Sequence, residues 1–288
     1  MSSENMNIQW YPGHMTKTRR QIEADLKQVD AVCEIVDARI PMSSRNPDID
    51  AICANKPRII VLNRSDLADP EATKRWLSWF RSRGIASLAT DCKSRKGINN
   101  FYPAVRSVLQ EKIQRDSAKG MNRPLRIMIV GIPNVGKSTF INQISGRKGA
   151  KAENRPGVTR GKQWVTVDTG LLLLDTPGIL WPKFEDPLVG MKLAYTGAVK
   201  EDIMDTEELA CHLMEILWKY YPDTVRSRYK VEMSEDAPGY ELLEEAGRKR
   251  GFLLARGEIN TERMAKVLLD EYRSGKLGLF TFEEPEDI

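Results

Sequence analysis

The sequence predicts an α/β fold, a parallel-rich sheet with helices on both faces, joined to a small all-α C-terminal domain. Three observations predict it. Short apolar runs with β-branched residues alternate with helix-length segments as far as Asp175, the pattern of strands joined by helical crossovers. One of those runs leads through a glycine-containing loop into a helix, an arrangement suited to holding phosphate. After Trp181-Pro182 only helical periodicity continues.

In chain order, residues 14–29 read as a helix, Ala31–Asp37 as a strand, and Arg58–Leu62 as a buried strand with Asn63 at its carboxyl end. Pro70–Arg83 is expected to be helical, Gly84–Ala89 a strand, and Ile98–Gln114 a helix. Asp116–Arg123 is polar, carries Ser117 and Gly120, and reads as a linker. Leu125–Val130 is the next strand. Ser138–Ile144 opens a helix with Phe140, Ile141 and Ile144 on one face, and two strands follow around Gln163–Asp175. Helical patterns then cover residues 188–199, 206–220, 237–249 and 260–273, with Phe252–Ala255 expected in the turn between the last two. The expected division is a nucleotide domain over 1–185 (base-reading half 1–115, linker 116–123, phosphate-binding half 124–185) and a helical domain over 186–288.

Gly131-Ile132-Pro133-Asn134-Val135-Gly136-Lys137-Ser138 matches the G-x-x-x-x-G-K-[ST] phosphate loop, between a strand and a helix as that motif requires. Backbone N–H groups of Asn134, Val135, Gly136, Lys137, Ser138 and Thr139 are expected to converge on phosphate oxygens. Lys137 should reach the β- and γ-phosphates, and the Ser138 hydroxyl should ligate Mg²⁺. Leu171-Leu172-Leu173-Leu174 ends in Asp175-Thr176-Pro177-Gly178. Asp175 is placed to hold Mg²⁺ through a water, and the Gly178 N–H to meet a γ-phosphate whose loss on hydrolysis releases the segment. Thr159, in Arg155-Pro156-Gly157-Val158-Thr159-Arg160, is the candidate that closes over Mg²⁺ and phosphate.

Asn63-Arg64-Ser65-Asp66 stands at the carboxyl end of a strand, where open parallel sheets bind ligands. The Asp66 carboxylate can accept from both N1–H and the exocyclic amine of guanine, a donor pair adenine lacks on that edge. GTP and GDP are therefore the expected ligands. Arg64 occupies the position usual for Lys, with an apolar stem and a planar head able to stack on a base. Asp91 and Cys92 fall where backbone contacts to the guanine oxygen are expected. This box precedes the phosphate loop, the reverse of the order in small GTPases.

With Trp10-Tyr11-Pro12-Gly13-His14-Met15, Asp37-Ala38-Arg39-Ile40-Pro41, Ser44-Arg45-Asn46-Pro47 and Asp175-Thr176-Pro177-Gly178-Ile179-Leu180-Trp181-Pro182-Lys183-Phe184, the chain resembles the circularly permuted GTPases of the RbgA (YlqF) family nearly end to end. That resemblance implies a potassium-assisted GTPase that binds the precursor large ribosomal subunit, with Asn134 helping to hold K⁺. It also implies RNA contact by the helical domain. Ile179 and Leu180 stand where many GTPases carry a water-orienting Gln. Either another side chain or a partner must then do that work. His14 is the leading candidate, alongside Lys137 and Thr159 in the catalytic set, because an imidazole can polarise a water near neutral pH.

Charge is divided by region. Residues 1–200 hold 32 Lys and Arg against 19 Asp and Glu, while residues 201–288 hold 12 against 21, within an overall +4. A basic nucleotide domain suits an RNA partner, since phosphate neutralisation dominates non-specific affinity. Lys17, Arg19 and Arg20, and Lys93, Arg95 and Lys96, are candidate contacts. In the acidic domain the dense basic run is Arg248-Lys249-Arg250. The four cysteines form no C-x-x-C pair, which argues against a zinc site or a disulfide framework. No apolar stretch approaches a membrane-spanning length. The expected protein is cytoplasmic and monomeric off the ribosome. A different P-loop phosphotransferase, or an RNA-binding assembly scaffold, stays open on these residues alone.

Overall fold

A computed structural model describes residues 20–146, 163–167, 170–178, 186–199, 205–255 and 257–287. Six described strands form one sheet in the order β3-β2-β1-β4-β6-β5. They are β1 (Ala31–Asp37), β2 (Arg58–Asn63), β3 (Ala86–Thr90), β4 (Leu125–Val130), β5 (Gln163–Val167) and β6 (Leu171–Asp175). All neighbours are parallel except β5 and β6. The two join through a short connection, which only an antiparallel pair permits.

Chain direction across the sheet reverses between β1 and β4. From β1 the chain winds outward through β2 to β3, and from β4 it continues on the other side to β6. Right-handed crossovers then put the helices that lead from β1 to β3 on one face, and those that lead back from β3 to β4 and on from β4 on the other. One face carries the helix described from residue 20 to 26 (α1), α2 (Asp48–Ile52) and α3 (Pro70–Ser82). There Ile22, Leu26 and Val29 pack on Val32, Met128 and Val130, and Trp76 and Phe80 pack on Val36, Ile60 and Leu62. Helices α4 (Phe101–Val108) and α6 (Lys137–Ser145) serve the other face and meet edge to face through Phe101 and Phe140, centroids 5.1 Å apart. Strands buried on both faces explain why the runs Val-Cys-Glu-Ile-Val and Ile-Ile-Val-Leu are continuously apolar apart from Glu34. Burial raises the Glu34 carboxyl, although Arg45 and Arg58 both donate to it at 3.1 and 2.7 Å.

Two expectations are corrected here. The helix expected over Ile98–Gln114 is a 3₁₀ turn, then α4, then α5 (Gln110–Ala118). The second helix takes the first part of the supposed linker, because Lys112 and Asp116 pair one turn apart on its surface. The helical domain was also expected to run to residue 288. The chain forms one compact unit of Met1–Val189 with Phe280–Ile288, and a second of Gly190–Leu279. The last residues therefore belong to the first unit.

The second unit contains most of α7 (Pro187–Tyr195), with α8 (Thr206–Tyr220), α9 (Pro222–Tyr229), α10 (Gly239–Lys249) and α11 (Thr261–Ser274). Helix α8 starts at Asp205, whose carboxylate accepts the Glu207 and Glu208 N–H groups at 2.8 and 3.0 Å. The Arg273 guanidinium closes α7 by donating to the Ala194 and Tyr195 carbonyls. Arg228, Tyr229 and Arg250 converge on Glu271. Burial would raise the Glu271 carboxyl, but these donors outweigh it and hold it at about 2. No described helix is long and apolar enough to cross a membrane.

Candidate functional site

The carboxyl ends of β1, β2, β3, β4 and β6 deliver Asp37, Asn63, Thr90, the phosphate loop and Asp175 to one edge of the sheet. This edge includes the β1–β4 reversal, the crevice where doubly wound sheets bind ligands.

The phosphate loop is wound around its own lysine. Lys137 Nζ donates to the Gly131 and Ile132 carbonyls at 3.1 and 2.8 Å and is 7% exposed. Burial lowers its pKa to about 8, with Asp175 opposing that shift. Asp175 shows the converse: burial raises it to about 6 against the pull of Lys137. Desolvation thus outweighs attraction on both partners, which leaves the pair short of counter-charge. Asp175 Oδ1 is buried with no hydrogen-bond partner among the described residues. Asp175 ends β6 and Ser138 stands in the first turn of α6 after the phosphate loop, two hard-oxygen donors of the kind Mg²⁺ takes. Gly178 approaches so closely that a Cβ there would lie 2.8 Å from Pro133 backbone atoms and 3.0 Å from Lys137 Nζ. Only glycine brings its N–H to that position.

The base-reading box is bonded to this loop. Asn63 donates from Nδ2 to the Val135 carbonyl at 2.8 Å, and its Oδ1 accepts from Thr90 Oγ1 and Cys92 Sγ at 3.1 and 3.2 Å. Gly136, at φ +96°, leaves room for that amide: a Cβ would stand 2.4 Å from Asn63 Nδ2. Arg64 directs its guanidinium to the Asn134 carbonyl at 2.7 Å and faces Asp37 at 3.5 Å. The expected stacking head is therefore turned toward the phosphate loop. Asp66 remains about a quarter exposed, with Lys93 Nζ at 3.9 Å. Burial and the nearby Asp91 raise its carboxyl above the usual range.

Asp91 is a loop former. Its carboxylate accepts the Lys93 and Ser94 N–H groups and the Ser94 hydroxyl, which overcome the burial penalty and hold its pKa low. Burial pushes the Cys92 thiol up to about 12. Its Sγ serves Asn63, and its carbonyl accepts Gln143 Nε2 at 2.8 Å. Ser65 donates its N–H to the Thr90 carbonyl at 3.1 Å. His14 and Thr159 lie outside the described residues, as do Lys17 and Arg19.

Sequence reasoning missed three participants. Gln143 ties the Cys92–Arg95 turn to α6, accepting from Arg95 Nη1 at 2.7 Å. Asp37 and Arg39 pair through two bonds at 2.9 and 2.7 Å with Arg39 fully buried. Burial would raise Asp37, but Arg39 and then Arg64 hold it below the usual carboxylate range. A carboxylate ending a buried strand beside Asn63 was the available signal.

The basic run of the second unit is internally compensated. Arg248 pairs with Glu244 and Glu245, Lys249 with Glu245, and Arg250 with Glu271. The described residues hold no cluster of His, Cys, Asp and Glu able to bind a further metal.

Comparison with known proteins adds relatives along the whole chain. A family described as 50S ribosome-binding GTPase matches residues 126–233, starting at the phosphate-loop strand and leaving the base-reading box upstream. Ribosome biogenesis GTPase A of Priestia megaterium is 48% identical over 285 residues, covering 98% of each chain. The protein of that name from Thermotoga maritima is 33% identical over 281 residues, covering 98% of this chain and 96% of that one. Among solved structures, GNP-bound YlqF from T. maritima aligns at a TM-score of 0.64 and 29% identity, covering 94% of this chain and all of the other.

Proposed function

Because this chain belongs to the ribosome biogenesis GTPase A family, and is therefore a GTPase acting in ribosome biogenesis, we propose that it binds the precursor large subunit in its GTP state and promotes a late assembly step. Hydrolysis is stimulated by the subunit and coupled to release. The observation that carries this reading is the buried Lys137–Asp175 pair with Gly178 closely packed against it, from which the chain runs on through residue 189 into the second unit.

In this reading Asn63 and Arg64 set the loop, and Asp66 reads the guanine edge. Lys137 neutralises the β- and γ-phosphates, and loop N–H groups from Asn134 to Thr139 cradle them. Ser138 and Thr159 would hold Mg²⁺, with Asp175 assisting through a water. Bound Mg²⁺ supplies charge neutralisation at the phosphate oxygens. Asn134 would offer a side-chain oxygen to K⁺. The Gly178 N–H senses the γ-phosphate. His14 orients the attacking water, since neither Ile179 nor Leu180 can hold one.

Turnover alone is then slow, and RNA on the basic first unit brings the subunit that raises it. A soluble, cytoplasmic monomer suits that cycle. Co-sedimentation with large subunits tests it. Binding should be tight with a non-hydrolysable GTP analogue and weak with GDP, and subunits should raise GTP turnover. Equal binding in both states, together with unstimulated turnover, refutes the coupling.

A further inference from the structure

The last described residues lie along the two loops that support base recognition. Phe280 N–H donates to the Leu67 carbonyl at 3.2 Å, and Phe282 N–H to the Arg39 carbonyl at 2.9 Å. Thr281 Oγ1 accepts the Asp69 N–H at 3.2 Å and donates to the Ala38 carbonyl at 3.4 Å. The Glu283 carboxylate is 7% exposed. It accepts the Met42 N–H at 2.7 Å, the Ser43 N–H at 3.2 Å, and the Ser43 hydroxyl. The Glu283 carbonyl accepts the indole N–H of the fully buried Trp76 at 2.9 Å. Arg75 on the same helix pairs with Glu284.

These anchors are one or two bonds from the site. Leu67 follows Asp66, and its N–H donates to the Arg64 carbonyl at 2.9 Å, closing the turn that aims Asp66. In the other loop the Ser44 hydroxyl accepts the Asp37 N–H at 2.9 Å and donates to the Ile40 carbonyl at 2.7 Å. Asp37 in turn faces Arg64, which is bonded to the phosphate loop. A buried carboxylate is costly unless its oxygens are filled by donors. Glu283 fills its own with the backbone of a loop that has no regular partner strand at that point.

We propose that Phe280–Glu283 is part of the guanine-recognition site, with Glu283 as a positioning residue that latches the Ala38–Ser44 loop. The inference rests on Asp66 as the guanine-reading carboxylate. Inosine lacks only the exocyclic amine, so the ratio of ITP to GTP dissociation constants reports how well Asp66 is aimed.

The test compares full-length wild type, Glu283→Ala, Glu283→Gln, Ser43→Ala and Asp66→Ala. Both dissociation constants, and KM and kcat for GTP, are measured well below each melting temperature. Glu283→Ala should weaken GTP binding about tenfold and compress the ITP:GTP ratio roughly threefold, within the range of coupling between contacting residues. The value of kcat should change less than KM, because the latch reaches the phosphate loop only indirectly, through Ser44, Asp37 and Arg64. Glu283→Gln keeps an acceptor oxygen and should recover most of the loss. Ser43→Ala removes one of the bonds and should shift the ratio in the same direction by less, which covers the case in which Glu283→Ala fails to fold. A lowered melting temperature with wild-type ratios in the folded variants overturns the latch. An unchanged ratio in Asp66→Ala instead overturns the guanine reading beneath it.

Discussion

Lys137 and Asp175 show how a binding residue differs from a stabilising one. Burial displaces both groups against their charged forms, Asp175 up to about 6 and Lys137 down to about 8. For Asp175 the folded state holds its proton more tightly than the unfolded chain, so stability falls as pH rises from about 4 to about 6. For Lys137 the unfolded chain is the better proton binder, so stability rises again from about 8 to about 10.5. Between them, near neutrality, the charged pair is a net cost that phosphate and cation relieve. Asp175→Asn should therefore raise the nucleotide-free melting temperature at pH 7 by several degrees while abolishing Mg²⁺-dependent turnover. A variant melting below wild type at that pH contradicts this account. Residue types at this site were legible because phosphate chemistry restricts them. Asp37 and Gln143 were not, since any polar residue near a loop can tie it, and only the fold reveals which loop.

At the level of elements, strands and long helices followed their apolar periodicity. Strands β1 and β4 have the expected ends, and so does α8. The short helices α2 and α9 gave too few turns for a period to emerge. Polar composition hid the end of α5, because an exposed helix held by surface ion pairs looks like a linker. Charge on α10 takes its context from the fold. A basic run seen along the sequence is neutralised by acids one turn before it and by Glu271 on α11. Arg250, only 28% exposed on its side chain, shares Glu271 with Arg228. Arg250→Ala should thus lower the melting temperature before it affects any partner. The double variant Arg248→Ala with Lys249→Ala removes the exposed charges and isolates RNA contact. If this surface meets RNA, the salt slope of subunit binding should fall by about one to two counterions. An unchanged slope removes α10 from the interface.

At the scale of the molecule, the sequence disclosed the permuted order and the split in charge, but the destination of the final residues was invisible to it. Phe280-Thr281-Phe282-Glu283 has no periodicity that distinguishes a docked strap from a loose end. Its partners lie more than two hundred residues away. The second unit is consequently an insertion in the first, leaving after Val189 and returning at Phe280. Loosening it tests the consequence. Glu271→Ala, which strands Arg228, Tyr229 and Arg250, should weaken GTP binding in proportion to the fraction of that unit unfolded. Undiminished affinity in a molten second unit rules the link out. The reason is loop closure. While folded, the inserted unit presents its two ends as a rigid connector, and the strap meets its dock at high effective concentration. Once melted, about 90 residues of flexible chain separate them, with an entropic cost of closure on the order of 4 kcal/mol. If the strap aims Asp66 as proposed, nucleotide affinity depends on the order of the inserted unit through connectivity alone.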